Sequence, residues 1–360
     1  MGKRTIFIVA LALAIVAGGA GMAGCGVQSS EQGVDPSSQN AGNSQAVAGY
    51  IVPEDLRGVA ALGNGVLTEV SPVWYQPAES GQLLFASAEA DEAVAGIERG
   101  AASHRVMLLP SIANYRDGHW DGALIHRIIT SPKIRESHVA AIVSLVTSHG
   151  WAGIDIDYES LAAADRSAYS GFISGLARAL HQARKQLTVT VHAKVDEPGD
   201  WSGARAQDWR ALGVAADEVR VMAYDYSTED SLPGPIAPLT WVESVLQLAI
   251  SEVPRDKLML GVATYGYDWT SGKPGQSVQW ADAQAIAESH AAPVTWDATS
   301  QSPWFAYTDK QGRQHTIWYE NARSLRARVA LAARYHLKGI VIWRLGGEDP
   351  AIWEQIRQVS

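Results

Sequence analysis

The sequence predicts an α/β fold: a (β/α)8 TIM barrel with a small α+β insertion after the seventh strand. Three observations carry the prediction. From Val47 onward, eight apolar, β-rich runs alternate with amphipathic helical stretches. Polar and aromatic residues gather at the C-terminal ends of those runs, where barrels build their sites. No glycine-rich phosphate turn follows the first run, which argues against a doubly wound open sheet.

Residues 1–24 read as a secretory signal. Lys3 and Arg4 give a positive start, and residues 6–17 form an apolar run too short for a comfortable membrane span. The run closes on Met22-Ala23-Gly24-Cys25, which resembles a bacterial lipobox. Processing there leaves an N-terminal cysteine that carries lipid, and several acyl chains on one residue anchor stably. Cys25 is the single cysteine of the chain, so no intramolecular disulfide forms. An ordinary secreted protein with an incidental cysteine is the alternative. Residues 25–46 are rich in Ser, Gln, Gly and Asn and read as a flexible tether. The expectation is an extracytoplasmic, membrane-anchored, monomeric protein whose folded part spans residues 47–360.

Within that part the expected strands are residues 47–52, 67–75, 105–112, 153–158, 187–193, 218–224, 258–264 and 339–343. Helical patterns fill the gaps, among them residues 132–149, 163–185, 241–251 and 322–335. Residues 268–320 are too long for one strand-to-helix connection. They hold three short β-rich runs, at 294–296, 304–307 and 315–318, and are expected to form the insertion.

Composition narrows the function. A net charge of −9 with no basic cluster argues against nucleic acid as a partner. The 13 Trp stand beside only 4 Phe. Trp suits both core packing and stacking on sugar rings. Trp74, Trp296, Trp304 and Trp318 read mostly as packing, with one of them available to line an outer subsite. No His/Asp set has metal-ligand spacing, so neither metal nor other cofactor is expected.

The fourth run, Gly153-Ile154-Asp155-Ile156-Asp157-Tyr158-Glu159, is the chemical centre of the sequence. Side chains alternate along a strand, so the three acids share one face and Ile154, Ile156 and Tyr158 the other. In a barrel the apolar set faces the helices and the acids point inward. Crowded carboxylates in a desolvated interior repel, so at least one is expected to hold a proton at neutral pH. Glu159, the outermost, is suited to be a general acid. A purely structural ladder, satisfied by Arg, Lys or a metal, is the other reading.

This segment resembles the signature of family 18 glycoside hydrolases, the chitinase-like barrels, whose fourth strand reads Asp-Gly-x-Asp-x-Asp-x-Glu. The likeness covers nearly the whole folded part. Val47-Ala48-Gly49-Tyr50, Met222-Ala223-Tyr224-Asp225, Leu260-Gly261-Val262-Ala263-Thr264-Tyr265-Gly266 and Gly339-Ile340-Val341-Ile342-Trp343 are similar to the first, sixth, seventh and eighth strands. Residues 70–75, 265–269 and 343–350 look most like the bacterial spore-cortex and peptidoglycan N-acetylglucosaminidase branch. Ala152 departs from the pattern by replacing the first Asp, and its loss is expected to alter the support beneath Asp157.

The resemblance implies a substrate-assisted, retaining hydrolysis of β-1,4 bonds in N-acetylated polysaccharides, peptidoglycan or chitin oligomers. By that analogy Glu159 protonates the leaving oxygen and Asp157 orients the sugar acetamide. Asp155 tunes Asp157, and Tyr224 hydrogen-bonds the acetamide oxygen. Tyr50 and Trp343 are expected as apolar walls of the sugar site. Asp225 and Tyr265 are candidate sugar contacts with a structural role equally open. His192 either faces the cleft or is a satisfied structural histidine. Two other readings stand beside the enzyme: a non-catalytic glycan-binding lipoprotein on the same barrel, favoured only by Ala152, and a metal-dependent barrel hydrolase.

Overall fold

The computed structural model describes residues 45–53, 55–271 and 273–359. The expected signal, Cys25 and all but the end of the tether lie outside the described residues. Among the described residues no helix is long and apolar enough to cross a membrane.

Eight parallel strands close into a barrel. They are β1 (Ala46–Ile51), β2 (Glu69–Pro77), β3 (Ser111–Ala113), β4 (Gly153–Asp157), β5 (Gln186–His192), β6 (Glu218–Met222), β7 (Leu258–Ala263) and β8 (Gly339–Trp343). Each pairs with the next in sequence, and β8 returns to β1. The (β/α)8 expectation therefore holds, with local differences. The third strand was expected over 105–112, but Arg105 adopts φ 59 and caps the helix Ala88–His104. Only Met107–Leu108 and Ser111–Ala113 pair. Pro110, between them, has no N–H for the ladder, though its carbonyl still accepts from Asp155 N–H at 2.8 Å. Strands β4 and β6 stop before Tyr158 and Tyr224, so Glu159 and Tyr224 sit on loops at the barrel mouth.

The expected alternation in β4 is present. Ile154, Ile156 and Tyr158 join the main core with Phe172, Ile173 and Leu176 of the helix Arg166–Gln182. The Tyr158 ring lies 6.1 Å from that of Phe172. A fully buried side chain of this size contributes about 1.5–3 kcal/mol. The Tyr158 hydroxyl donates to His138 Nε2 at 2.6 Å, and His138 Nδ1–H donates to the Gly81 carbonyl at 2.8 Å. The neutral ring satisfies both bonds, and burial pushes the His138 pKa down to about 4.

The inward-facing residues at the lower end of the barrel are charged. Arg220, fully buried, donates to Glu218 Oε1 (2.6 Å), Ser71 Oγ (2.6 Å) and Glu69 Oε2 (3.0 Å). Its Nη1 lies 3.9 Å from Asp155 Oδ1. Lys338 closes the cluster from below through Glu218 and Glu69. Buried charges persist only when paired in this way.

The insertion follows β7. Its five antiparallel strands lie in the order Gln276–Gln279, Tyr265–Thr270, Gln314–Tyr319, Ser302–Thr308, Thr295–Asp297, with the helix Trp280–Ser289 packed on them. It begins at Tyr265, three residues before the expected start, because Tyr265–Thr270 pairs with Gln314–Tyr319. Gly266 permits the close approach: a Cβ there would meet the Trp318 carbonyl at 2.1 Å.

Two outcomes are expected. Arg220→Met leaves two carboxylates short of a partner and costs about 3–5 kcal/mol in urea unfolding. His138 has a folded pKa below its unfolded value near 6.5, so the unfolded chain binds the extra proton. Stability therefore falls by about 3 kcal/mol as pH drops from 6.5 toward 4, and His138→Gln, which keeps a donor and an acceptor, flattens that slope.

Candidate active site

The three acids of β4 and its loop occupy three different environments. Asp155 is fully buried and saturated with partners. It accepts from Ser111 (2.7 Å), Thr188 (2.7 Å), Thr190 (3.2 Å) and the Tyr50 hydroxyl (3.3 Å). Asp157, one step toward the mouth, is 4 % exposed, and its Oδ1 is buried with no hydrogen-bond partner among the described residues. Burial raises its pKa well above the usual carboxylate range. The Asp155 charge adds to the effect and Arg220 opposes it. Glu159 lies at the opening, its side chain 16 % exposed. Burial, then the charges of Asp157 and Asp225, push its pKa well up.

Tyr224 comes off the end of β6 and is 9 % exposed. Burial raises its pKa far above 10, which keeps its hydroxyl neutral and able to donate. Its ring meets Tyr265 edge-on at 6.5 Å. Asp225 is exposed at the cleft mouth with φ 58. Its Oδ1 accepts from the Tyr265 hydroxyl and, at 3.4 Å, from that of Tyr267. Trp343, half-buried, ends β8. A pocket of about 160 Å³ opens beside it, lined by Asp225, Thr264, Tyr265, Tyr267, Ser277, Gln279, Trp343, Arg344 and Gly347. The insertion thus forms one wall of the cleft.

His192 ends β5 with Nε2 3.7 Å from Glu159 Oε2 and, among the described residues, no hydrogen-bond partner on that nitrogen. Burial drives its pKa to about 3, so the ring is neutral. Trp201, 42 % exposed, meets it edge-on at 4.4 Å. His192 faces the cleft side of the acid, one of the two positions open to it from sequence.

One expectation is corrected. Tyr50 is not a wall of the sugar site: it is 2 % exposed, and its hydroxyl lies 2.6 Å from Thr190 Oγ1 as well as on Asp155. Strand alternation points it into the barrel, where its ring supports Trp343 from beneath at 5.3 Å. Ala152 leaves Asp155 with other partners. It stands before β4 on the parity of Ile154 and Ile156, and hydroxyls with Arg220 already occupy both oxygens of Asp155. Of the four tryptophans read mostly as packing, Trp74 is in the core at 1 % exposed, while Trp304, stacked on Trp318 at 5.5 Å, and Trp296, covered by Arg323 at 3.8 Å, are half-buried.

Sequence reasoning missed several residues. Arg220 and Glu69 were legible as polar residues on the inward parity of β6 and β2. Thr188 and Thr190 share that parity in β5. Asp55 carried no such signal. It accepts from Arg57 (2.7 and 2.6 Å) and Arg344 (3.2 Å), with Gln279 of the insertion at 3.5 Å. Arg344 and Gln279 are far from it in sequence.

Comparison with known proteins agrees with this architecture. The sequence profile described as "Glycosyl hydrolases family 18" matches residues 47–348. A Bacillus subtilis relative proposed as a sporulation-specific glycosylase, YdhD, is 34 % identical over 254 residues, covering 69 % of this chain and 60 % of its own length. The chain thus spans less than two thirds of that relative. The crystal structure of the Bacillus cereus spore cortex-lytic enzyme SleL superposes with a TM-score of 0.80 at 26 % identity, covering 87 % of this chain and 74 % of the other. That of a chitinase from Chromobacterium violaceum gives 0.81 at 29 %, covering 87 % and 98 %. With most of the folded part matched end to end, the chain belongs to the glycosyl hydrolases of family 18.

Proposed function

We propose that this protein is a retaining glycosidase that cleaves β-1,4 bonds next to N-acetylglucosamine, and that its natural polymer is peptidoglycan. The observation that carries the reading is Glu159. It is a carboxyl at the opening of the barrel whose pKa is pushed well up by burial and by the charges of Asp157 and Asp225, the latter a wall of the Trp343 pocket, and it is near enough to Tyr224 to influence that hydroxyl in turn.

In the proposed mechanism Glu159 donates its proton to the leaving glycosidic oxygen. The substrate's own 2-acetamido oxygen attacks the anomeric carbon, giving an oxazolinium ion and making a protein nucleophile unnecessary. Asp157, whose Oδ1 has no protein partner, accepts the acetamide N–H and balances the developing positive charge. The neutral Tyr224 hydroxyl donates to the acetamide oxygen. Glu159, now a carboxylate, takes a proton from the incoming water and returns to its resting state. Asp155 and Arg220 fix Asp157 electrostatically from below. Peptidoglycan is favoured by the relatives named for spore and cortex lysis. We further infer a lipid anchor on Cys25 that holds the enzyme on the outer side of the membrane.

The deciding experiment is mass spectrometry of products from purified sacculi and from chitin oligomers. Release of N-acetylglucosamine-ended fragments from sacculi is expected, and action on chitin oligomers alone overturns the choice of polymer. Glu159→Gln loses about a thousand-fold in kcat with little change in KM. If that variant matches the wild type, the glycosidase reading fails. Asp157→Asn removes a like charge beside Glu159, so the basic limb of the kcat/KM profile moves to lower pH while the rate falls about 100-fold. Cys25→Ala abolishes labelling of the cellular protein by radioactive palmitate; retained labelling removes the anchor.

A further inference from the structure

The acid stands where the sheet has run out. The last ladder pairs of β4 are Ala113↔Asp157 toward β3 and Ile156↔Val189 toward β5. Glu159 lies two residues beyond, and Ser160 then turns into the left-handed region at φ 54. A loop in that position is ordinarily mobile, and a mobile acid is a poor catalyst, since a displacement of 1 Å costs about 100-fold in rate.

Two fully buried carboxamides take over where the strands end. On the β3 side, Asn114 Nδ2–H donates to the Glu159 carbonyl at 3.0 Å, and Glu159 N–H donates to Asn114 Oδ1 at 2.8 Å. On the β5 side, Gln207 Nε2–H donates to the Tyr158 carbonyl at 3.3 Å, while its Oε1 accepts from His192 N–H at 2.7 Å. Each amide thus imitates a neighbouring peptide unit. Both are held in turn: Asp121 N–H donates to the Asn114 carbonyl at 2.9 Å, and Lys194 Nζ donates to the Gln207 carbonyl at 2.8 Å. Gly122 presses on the same loop from outside, where a Cβ would meet the Ser160 carbonyl at 2.0 Å.

We propose that Asn114 and Gln207 are positioning residues that continue the sheet past β4 with side-chain amides and so fix Glu159 for proton transfer. Asn114 is the stronger partner because both of its bonds fall on the acid's own peptide units. An amide supplies a donor and an acceptor without charge, which an ionised Asp at the same place cannot do. The proposal rests on Glu159 being the acid.

The test uses the dependence on the leaving group. Phenyl and dinitrophenyl glycosides of N,N′-diacetylchitobiose differ in need of a proton: the first depends on the acid, the second leaves almost unaided. Asn114→Ala is expected to lower kcat/KM about 100-fold on the phenyl glycoside and less than about five-fold on the dinitrophenyl one. The isosteric Asn114→Asp, which keeps the shape but loses the donor, shows the same selectivity, and Gln207→Ala shows a weaker form of it. Equal losses on both substrates, or an Asn114→Asp enzyme like the wild type, overturn the proposal in favour of packing alone. Hydrogen exchange at the Glu159 amide reads the clamp without catalysis and is expected to quicken at least about ten-fold in Asn114→Ala. If the wild type cleaves neither glycoside nor sacculi, the functional reading is at fault; faster exchange then still supports the clamp, and unchanged exchange refutes it.

Discussion

One buried guanidinium makes the interior of this barrel possible. Glu69, Glu218, Asp155 and Asp157 all point into a space that excludes water, and carboxylates brought that close repel. Arg220 stands among them with bonds to Glu218, Glu69 and Ser71 and its charge against Asp155. Burial disfavours a charged Arg, but in this setting the surrounding anions outweigh that penalty. The fork geometry of the guanidinium suits the task, since three neighbours are served from one planar group.

That arrangement sets up a gradient along β4. Near Arg220 the carboxylate of Asp155 is neutralised and saturated by hydroxyls. One step out, Asp157 feels less of the guanidinium and keeps an oxygen with no partner. At the mouth, Glu159 has neither cation nor hydroxyl, and burial with its acidic neighbours raises its pKa. Three chemically similar side chains at a spacing of two residues thereby meet three different environments. The difference comes from depth, because each step toward the mouth removes a compensating group.

The mouth itself is assembled from parts far apart in the chain. The loop after β1 supplies Asp55, the loop after β8 supplies Arg344, and the insertion supplies Gln279. Their meeting on one carboxylate, whose pKa the Arg57 bond lowers to about 2 against the cost of burial, joins three segments beside Trp343. Tyr265 and Tyr267, at the start of the insertion, bond Asp225 across the cleft. The insertion is therefore part of the cleft wall and not an appendage.

The sequence by itself determined the barrel, the place of the insertion and the inward face of the acids. Those features depend on local periodicity: alternation in strands and amphipathic spacing in helices survive in one dimension. It also singled out Glu159, Asp157, Asp155, Tyr224 and Trp343 through the family likeness. What only the tertiary structure decided were the partners. Tyr50 carries the same residue type whether it lines a cleft or bonds Asp155, and β1 had to be closed against β8 before its depth was known. Ala152 marks a departure from the family pattern, but that the hydroxyls of three other strands gather on Asp155 is known only from the fold. Arg220 lies 65 positions from Asp155, Asn114 lies 45 from Glu159 and Gln207 lies 49 from Tyr158. Closing the barrel brings such residues together, and no local pattern records a contact made that way.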